Sequence, residues 1–370
     1  MSHRARYIMV GGFLGAGKTT AILRLAAYLT GRGQRVGLIT NDQSTGLVDT
    51  ALLGSHGFDV EEITGGCFCC RFNSLLEASE RLSQETRPDV FVAEPVGSCT
   101  DLTATVSYPL RRIYGDDFEV APLSVLVDPV RASRVLGLEP GRPFSPKVLY
   151  VYGKQIEEAE IVVINKTDLV SPPRLEALRA ALRERNPRAE ILAVSARQGD
   201  GLGAWFERLE VGEAGRAAPP ELDYDLYAEG EAKLGWLNAS LEVKAASGFD
   251  GNLLLRDLAA RLQRALEEAE VEVAHLKAVL TPSEEGPDLA VLNLVRGDGV
   301  PEMSHTLAEP LREGELLLNL RAEGDPELLE RVVREALEVP GAEPSVRFRV
   351  EHLDRFRPAR PAPVHRMAEA

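Results

Sequence analysis

The stretch GGFLGAGKTT, residues 11–20, decides how the N-terminal half of this chain is read. It follows a short apolar run, RYIMVGG, and opens a segment with apolar residues at helical spacing, TTAILRLAAYLTGRG. Within it Gly12, Gly17, Lys18 and Thr19 form G-x-x-x-x-G-K-T. Between a strand and a helix that spacing has a mechanical meaning. The loop from Gly12 through Gly15, Ala16 and Gly17 lets backbone N–H groups curl around phosphates at a helix N-terminus. Lys18 neutralises the β/γ charge, Thr19 offers its hydroxyl to Mg²⁺, and Thr20 is counted among the residues that hold the phosphates.

Working outward, further strand-like runs follow at RVGLITND, DVFVAEP, LSVLVDP, EIVVINK and AEILAVS, most of them separated by amphipathic stretches such as NSLLEASERLSQE and PRLEALRAALRER. The alternation predicts an α/β fold, a P-loop NTPase with a mainly parallel sheet over residues 1–210, whose ligands bind at the carboxyl ends of the strands. VGEAGRAAPPEL, rich in Gly, Ala and Pro, reads as a linker over 211–221. Beyond it the order is strand, helix, a run of adjacent strands, helix and strand. That order predicts a smaller α+β, ferredoxin-like C-terminal domain over 222–354. The Pro- and Arg-rich end, RPARPAPVHRMAEA, completes an expected disordered tail over 355–370.

Composition narrows the function. In 370 residues, 57 acidic side chains outweigh 42 basic ones, and the net charge of -15 disfavours nucleic acid and anionic membrane surfaces as partners. No stretch approaches the roughly 18 apolar residues of a membrane span. The N-terminus does not read as a signal peptide, so a cytoplasmic location is expected. Thiols stay reduced in that compartment. Three of the four cysteines, Cys67, Cys69 and Cys70, crowd into ITGGCFCCRF, and such a cluster reads as metal-binding or redox-reactive rather than as a disulfide frame.

Two further motifs complete a nucleotide site. In EIVVINKTDL, Asp168 can accept both hydrogens of guanine's N1/N2 edge, Asn165 reaches the other edge and the Lys166 stem lies along the ring. The competing reading is a strand end with a helix cap at Thr167 or Asp168. Ser195 and Ala196, in AVSARQGDG, stand where a Ser-Ala backbone meets guanine. In EPVG, Glu94 can hold Mg²⁺ through water and Gly97 can meet the γ-phosphate with its N–H. The plainer reading of Glu94 is an acidic residue at a strand terminus.

GGFLGAGKTT, GGCFCC, EPVG and NKTD, in that order, resemble the CobW/HypB/UreG group of P-loop GTPases, and most closely the CobW-like metallochaperones. The resemblance covers roughly residues 7–210. It implies that Cys67, Cys69 and Cys70 are thiolate ligands for Zn²⁺ or a related ion such as Co²⁺. It further implies a Mg²⁺-dependent GTPase that cycles between GTP and GDP, with Lys18, Glu94 and Asp42 as catalytic candidates. Asn41-Asp42 stands where the family usually has Asn-Glu, and Asp is one methylene shorter. The histidine-rich stretch common in the family is missing, the six histidines lying singly at 3, 56, 275, 305, 352 and 365.

Three thiolates leave one tetrahedral position of a zinc ion open, which suits transfer better than storage. Cys99, two residues after Gly97, is an expected fourth thiolate in one nucleotide state, against the competing reading of a small buried thiol under a helix start. The expected partners are a client metalloprotein or a cofactor-assembly enzyme, with a homodimer as a further expectation. The alternatives are a GTP-state switch or metal sensor holding a structural zinc, and assistance in assembling cobalamin or another metallocofactor. No arginine finger is evident in the chain, and Arg71 beside the cluster has no assigned place.

Overall fold

In the computed structural model, the residues described are 4–41, 53–54, 56–213, 215, 218–283, 288–339, 341–343 and 345–368. The chain divides into two compact units. The first comprises Leu52–Gly230 with the N-terminal residues and Arg360–Ala370, and the second contains Glu231–Ala359.

The first unit is built on a parallel sheet. Its strands are β1 (Ala5–Gly12), β2 (Val36–Asn41), β3 (Asp59–Ile63), β4 (Val90–Glu94), β5 (Phe118–Val120), β6 (Ser124–Val127), β7 (Ile161–Ile164) and β8 (Glu190–Ala193). They lie in the order β3-β2-β4-β1-β6-β7-β8, with β5 paired to β1 beside this path. The runs VFVAE, SVLV and IVVI are buried at every position, as strands covered on both faces must be.

All six strands expected from the sequence are present. The reading passed over β3, whose DVEEI is half-buried and charged at an edge, and β5, which is three residues long. Neither offers an apolar run. The helices that matter for the site are α1 (Lys18–Gly31), α2 (Phe72–Glu85), α3 (Tyr108–Ile113), α4 (Pro129–Val135) and α5 (Pro146–Glu158). They are followed by α6 (Pro172–Arg185), α7 (Leu202–Val211) and α8 (Tyr224–Lys233).

In the second unit an antiparallel sheet of β9 (Leu234–Phe249), β10 (Glu272–Pro282), β11 (Ala290–Leu294), β12 (Glu302–His305), β13 (Leu311–Glu323) and β14 (Arg347–Phe356) has the order β12-β11-β10-β13-β9-β14. The four strands β10-β13-β9-β14 with α9 (Gly251–Glu268) and α10 (Pro326–Glu338) give the expected ferredoxin-like arrangement, and β11-β12 extend its edge. Leu254, Leu258 and Leu262 of α9 and Leu329 and Val333 of α10 share one core with Leu237, Leu276, Leu292 and Leu318 of the sheet. Asp250 and Asp325 cap the two helices by accepting from N–H groups of their first turns.

The C-terminal residues depart from the expectation of a disordered tail. β14 runs on to Phe356, and residues 360–368 pack in the first unit. Proline-rich composition by itself predicts disorder. Here it gives an ordered segment in which the N–H groups of Val364 and Met367 find acceptors in Cys69 O and Ala104 O.

Candidate nucleotide and metal site

Parallel strands of one sheet end at the same edge, so loops far apart in sequence converge there. β1 delivers the glycine loop, β4 delivers Glu94, β6 delivers Asp128, β7 delivers Asn165 and β8 leads to Ser195. Helix α1 begins after Gly17 with no side-chain cap and no acidic residue in its first turn. Its N–H groups and dipole are therefore available to an anion. Gly17 has φ 88°, and a Cβ there would lie 2.6 Å from Asn165 Nδ2, so both conformation and space require glycine.

Lys18, Thr19 and Glu94 are all buried. Lys18 Nζ donates to Gly12 O at 3.0 Å and stands 3.8 Å from Glu94 Oε1. Thr19 Oγ1 donates to the same carboxylate oxygen at 3.3 Å. A hydroxyl and a carboxylate so placed beside a phosphate loop form the hard-oxygen donor set that suits Mg²⁺. Thr20, the third residue of α1, is exposed. A Cβ on Gly97 would meet Leu14 N at 3.0 Å, so the EPVG loop lies directly against the phosphate loop.

At the base side Asn165 ties two loops together. Its Nδ2 donates to Ala16 O at 2.9 Å and its Oδ1 accepts from Ala196 N at 3.0 Å. Both polar ends are engaged, and Asn165 is a strut that ties the phosphate loop to the Ser-Ala loop. Lys166, at φ 54°, sends Nζ to Gly15 O at 2.7 Å and to Asp128 Oδ2 at 2.9 Å. Asp168 is exposed, with Oδ1 accepting from Ser195 Oγ at 2.6 Å, which orients its carboxylate.

The sequence reading missed Asp128. This buried carboxylate holds Lys166 and also caps α4, accepting from Val130 N at 3.1 Å and Arg131 N at 2.9 Å. An Asp-Pro pair at the end of a strand was the available signal.

The cysteine turn lies between β3 and α2. Cys70 N and Arg71 N both donate to Cys67 O, at 3.0 and 2.9 Å, curling the turn so that its side chains converge. The sulfurs of Cys67, Cys69 and Cys70 lie within 4.8 Å of one another. Cys70 Sγ is 3.3 Å from Cys67 Sγ and 3.7 Å from Cys69 Sγ. Against the expectation of reduced thiols, Cys67 and Cys69 are paired as a disulfide in this structure, the turn having brought their sulfurs together. A metal ion requires that pair reduced. Three thiolates around Zn²⁺ at about 2.3 Å each would stand about 3.8 Å apart, a small adjustment from this arrangement.

Cys67 and Cys69 are buried and Cys70 is partly exposed. At the end of β2, Asn41 Nδ2 donates to Ile63 O at 3.0 Å and Gly66 O at 2.7 Å, joining the nucleotide edge of the sheet to the turn before Cys67. Asp42 lies outside the described residues. Cys99 is buried and does not belong to the converging group; Gln155 Nε2 donates to its carbonyl at 2.8 Å and to Gly97 O at 3.0 Å. Arg71 Nε donates to Gly65 O at 3.2 Å, which places it on the cysteine turn.

Two buried carboxylates, Asp101 just after the EPVG loop and Glu158 at the end of α5, have no counterpart in the sequence reading. Glu158 accepts from Thr100 Oγ1 at 2.8 Å and Thr103 N at 3.3 Å. Burial, reinforced by the nearby Asp101 charge, pushes its pKa up to about 8. Asp101 is also raised by burial, against the opposing pull of the Tyr224 hydroxyl and Arg366.

Residues 6–193 match the family model described as CobW/HypB/UreG, nucleotide-binding domain. The zinc chaperone CobW of Sinorhizobium sp is 28% identical over 242 residues, 59% of this chain and 67% of its own length. The zinc chaperone YeiR of Escherichia coli (strain K12) is 29% identical over 174 residues, 46% of this chain and 49% of that protein. The zinc-regulated GTPase metalloprotein activator 1 of Dictyostelium discoideum is 25% identical over 214 residues, 50% of this chain and 44% of that protein. The chain therefore spans about two thirds of the first relative and half or less of the other two. No helix among the described residues is long and apolar enough to cross a membrane.

Proposed function

The chain belongs to the CobW/HypB/UreG family, and on that premise we propose that it is a Mg²⁺-dependent GTPase that binds a transition metal ion and delivers it to a client protein. The carrying observation is the convergence of three sulfurs in a turn tied by Asn41 to the nucleotide edge of the sheet. Gly12, Gly15, Ala16, Gly17, Lys18 and Thr20 hold the phosphates. Thr19 and Glu94 hold Mg²⁺, which supplies charge neutralisation at the β/γ-phosphates. Asp168, steered by Ser195, selects guanine, while Asn165, Lys166 and Ala196 brace the loops around it.

The cargo is a thiolate-binding borderline ion, Zn²⁺ or Co²⁺, held by reduced Cys67, Cys69 and Cys70 with one coordination position left for exchange. Gly97, pressed against Leu14, is placed to register the γ-phosphate and move when it leaves. The client is a metalloprotein or a cofactor-assembly enzyme, and the reaction takes place in the cytoplasm. That two of the three sulfurs are buried favours a second reading, a permanent structural zinc in a GTP-state regulator.

Competitive loading with Zn²⁺, Co²⁺ and Ni²⁺ separates these readings, with metal retention and GTP turnover followed together. Delivery requires nucleotide-dependent release to an acceptor and loss of both binding and coupling in Cys67→Ala. Equal retention in GDP and in a GTP analogue would establish the structural reading instead.

A further inference from the structure

Residues 362–367 lie across the cysteine turn. Ala362 N donates to Cys70 Sγ at 3.2 Å, and Val364 N donates to Cys69 O at 2.9 Å. Met367 N reaches Ala104 O at 2.9 Å, and the His365 ring meets Phe72 edge-on with centroids 5.0 Å apart. Pro361 and Pro363 carry no N–H, and the two N–H groups that alternate with them, at Ala362 and Val364, are the ones that meet acceptors on the cysteine turn.

At its far end Arg366 donates to Asp101 through Nε at 2.8 Å and through Nη2 at 3.4 Å. Asp101 is 2% exposed, sits at φ 66° and also accepts from Tyr224 Oη at 2.6 Å. It follows Gly97 by four positions, in the loop whose Thr100 N donates to Tyr227 Oη at 3.3 Å. One short segment thus holds the most exposed sulfur of the cluster and the loop beyond Gly97.

We infer that residues 362–367 are an in-cis peptide filling a groove over Cys69, Cys70 and Asp101, and that this strap must leave before an acceptor can take metal from the cysteine site. The inference rests on the metal-site reading above and adds a gate to it. Cys67 and Cys69 are enclosed, so an incoming ligand has to approach at Cys70, where the Ala362 N–H now points. In the exchange the acceptor's donor atom bonds the ion as Cys70 leaves as a thiolate, with no change of oxidation state. The Arg366–Asp101 pair links the strap to the loop after Gly97. A buried carboxylate is costly to leave without its cation, so movement of that loop and release of the strap are coupled.

The test compares the full chain with Arg366→Ala, Arg366→Lys and a chain ending at Ala359. Alkylation of Cys70 in reduced, metal-free protein, located by mass spectrometry, reads the strap alone. Transfer of Zn²⁺ to a chromogenic chelator reads the gate. The shortened chain should show both rates raised by more than roughly tenfold, because it loses the charge-assisted Arg366–Asp101 bond, itself worth about that factor, together with the backbone bonds of the strap. Arg366→Ala should show a smaller rise, Arg366→Lys should stay near the parent, and a synthetic peptide of residues 360–368 should slow the shortened chain again.

Unchanged Cys70 alkylation in both Arg366→Ala and the shortened chain would overturn the strap. Faster alkylation with unchanged Zn²⁺ transfer would overturn the gate. Faster alkylation in a protein that binds no Zn²⁺ at these cysteines would uphold the strap while removing the metal reading beneath it.

Discussion

Replacing Asn165 by alanine tests whether the base loop and the phosphate loop are one braced structure. Asn165 is 1% exposed and spans the two loops with bonds of 2.9 Å to Ala16 O and 3.0 Å from Ala196 N. Removing its amide deletes two hydrogen bonds worth about 1 kcal/mol net each. It also strands a carbonyl and an N–H at Ala16 and Ala196, each 2% exposed, where an unsatisfied group costs about 1–3 kcal/mol. Water entering the vacated space lowers that penalty, so the expected loss is about 3 kcal/mol.

The two tryptophans make the measurement clean, because Trp205 lies in the first unit and Trp236 in the second. Urea unfolding followed by Trp205 fluorescence in a Trp236→Phe background should show the loss, together with weaker GDP binding. Asn165→Asp keeps the acceptor for Ala196 N, loses the donor to Ala16 O and sets a carboxylate against that carbonyl, so it should be at least as damaging. A Trp205 transition within about 0.5 kcal/mol of the parent, the range of a surface substitution, would refute the strut.

Asp168→Asn should weaken guanine nucleotide binding by roughly a hundredfold, since charged acceptance from N1–H and the 2-amino group is lost. It should also favour xanthine, which offers an oxygen where guanine has that amino group; equilibrium binding of GDP, XDP and ADP checks both. Gly17→Ala should abolish nucleotide binding in fluorescence titrations, because a left-handed φ and a Cβ 2.6 Å from Asn165 Nδ2 disfavour it twice.

Glu158 carries a pH signature. With its folded pKa pushed up to about 8, the native state holds a proton that the unfolded chain releases near the ordinary carboxylate value, so stability falls as pH rises between those values and levels off above about 8. Glu158→Gln should flatten that part of the profile in urea titrations from pH 5 to 9, and an unchanged slope would remove Glu158 as its source.

The legible parts of the site were the local ones. GGFLGAGKTT, EPVG and NKTD each pair a strand end with the loop it delivers, so spacing within a few residues carries the geometry, and parallel strands place the ends on one edge. Asp128 was harder to see because its task depends on Lys166, 38 positions away. Asn165 was visible as a residue, but its engagement with Ala16 and Ala196 depends on loops brought together from both sides of the sheet. The charged edge strand β3 offered no periodicity, since one neighbour and partial burial suffice to hold it.

By itself the sequence determined the phosphate loop, the six central strands, the ferredoxin-like second unit and the presence of a three-sulfur cluster, because short-range pattern and residue chemistry are enough for each. Tertiary structure alone decided that Asn165 braces two loops, that Cys99 stands apart from the converging sulfurs, and that the C-terminal segment lies over Cys69 and Cys70. Those outcomes depend on hydrogen bonds between residues as far apart as 292 positions, as for Ala362 and Cys70. Such bonds form only when the folded sheet has removed the alternatives, water included, and left each buried donor a particular acceptor.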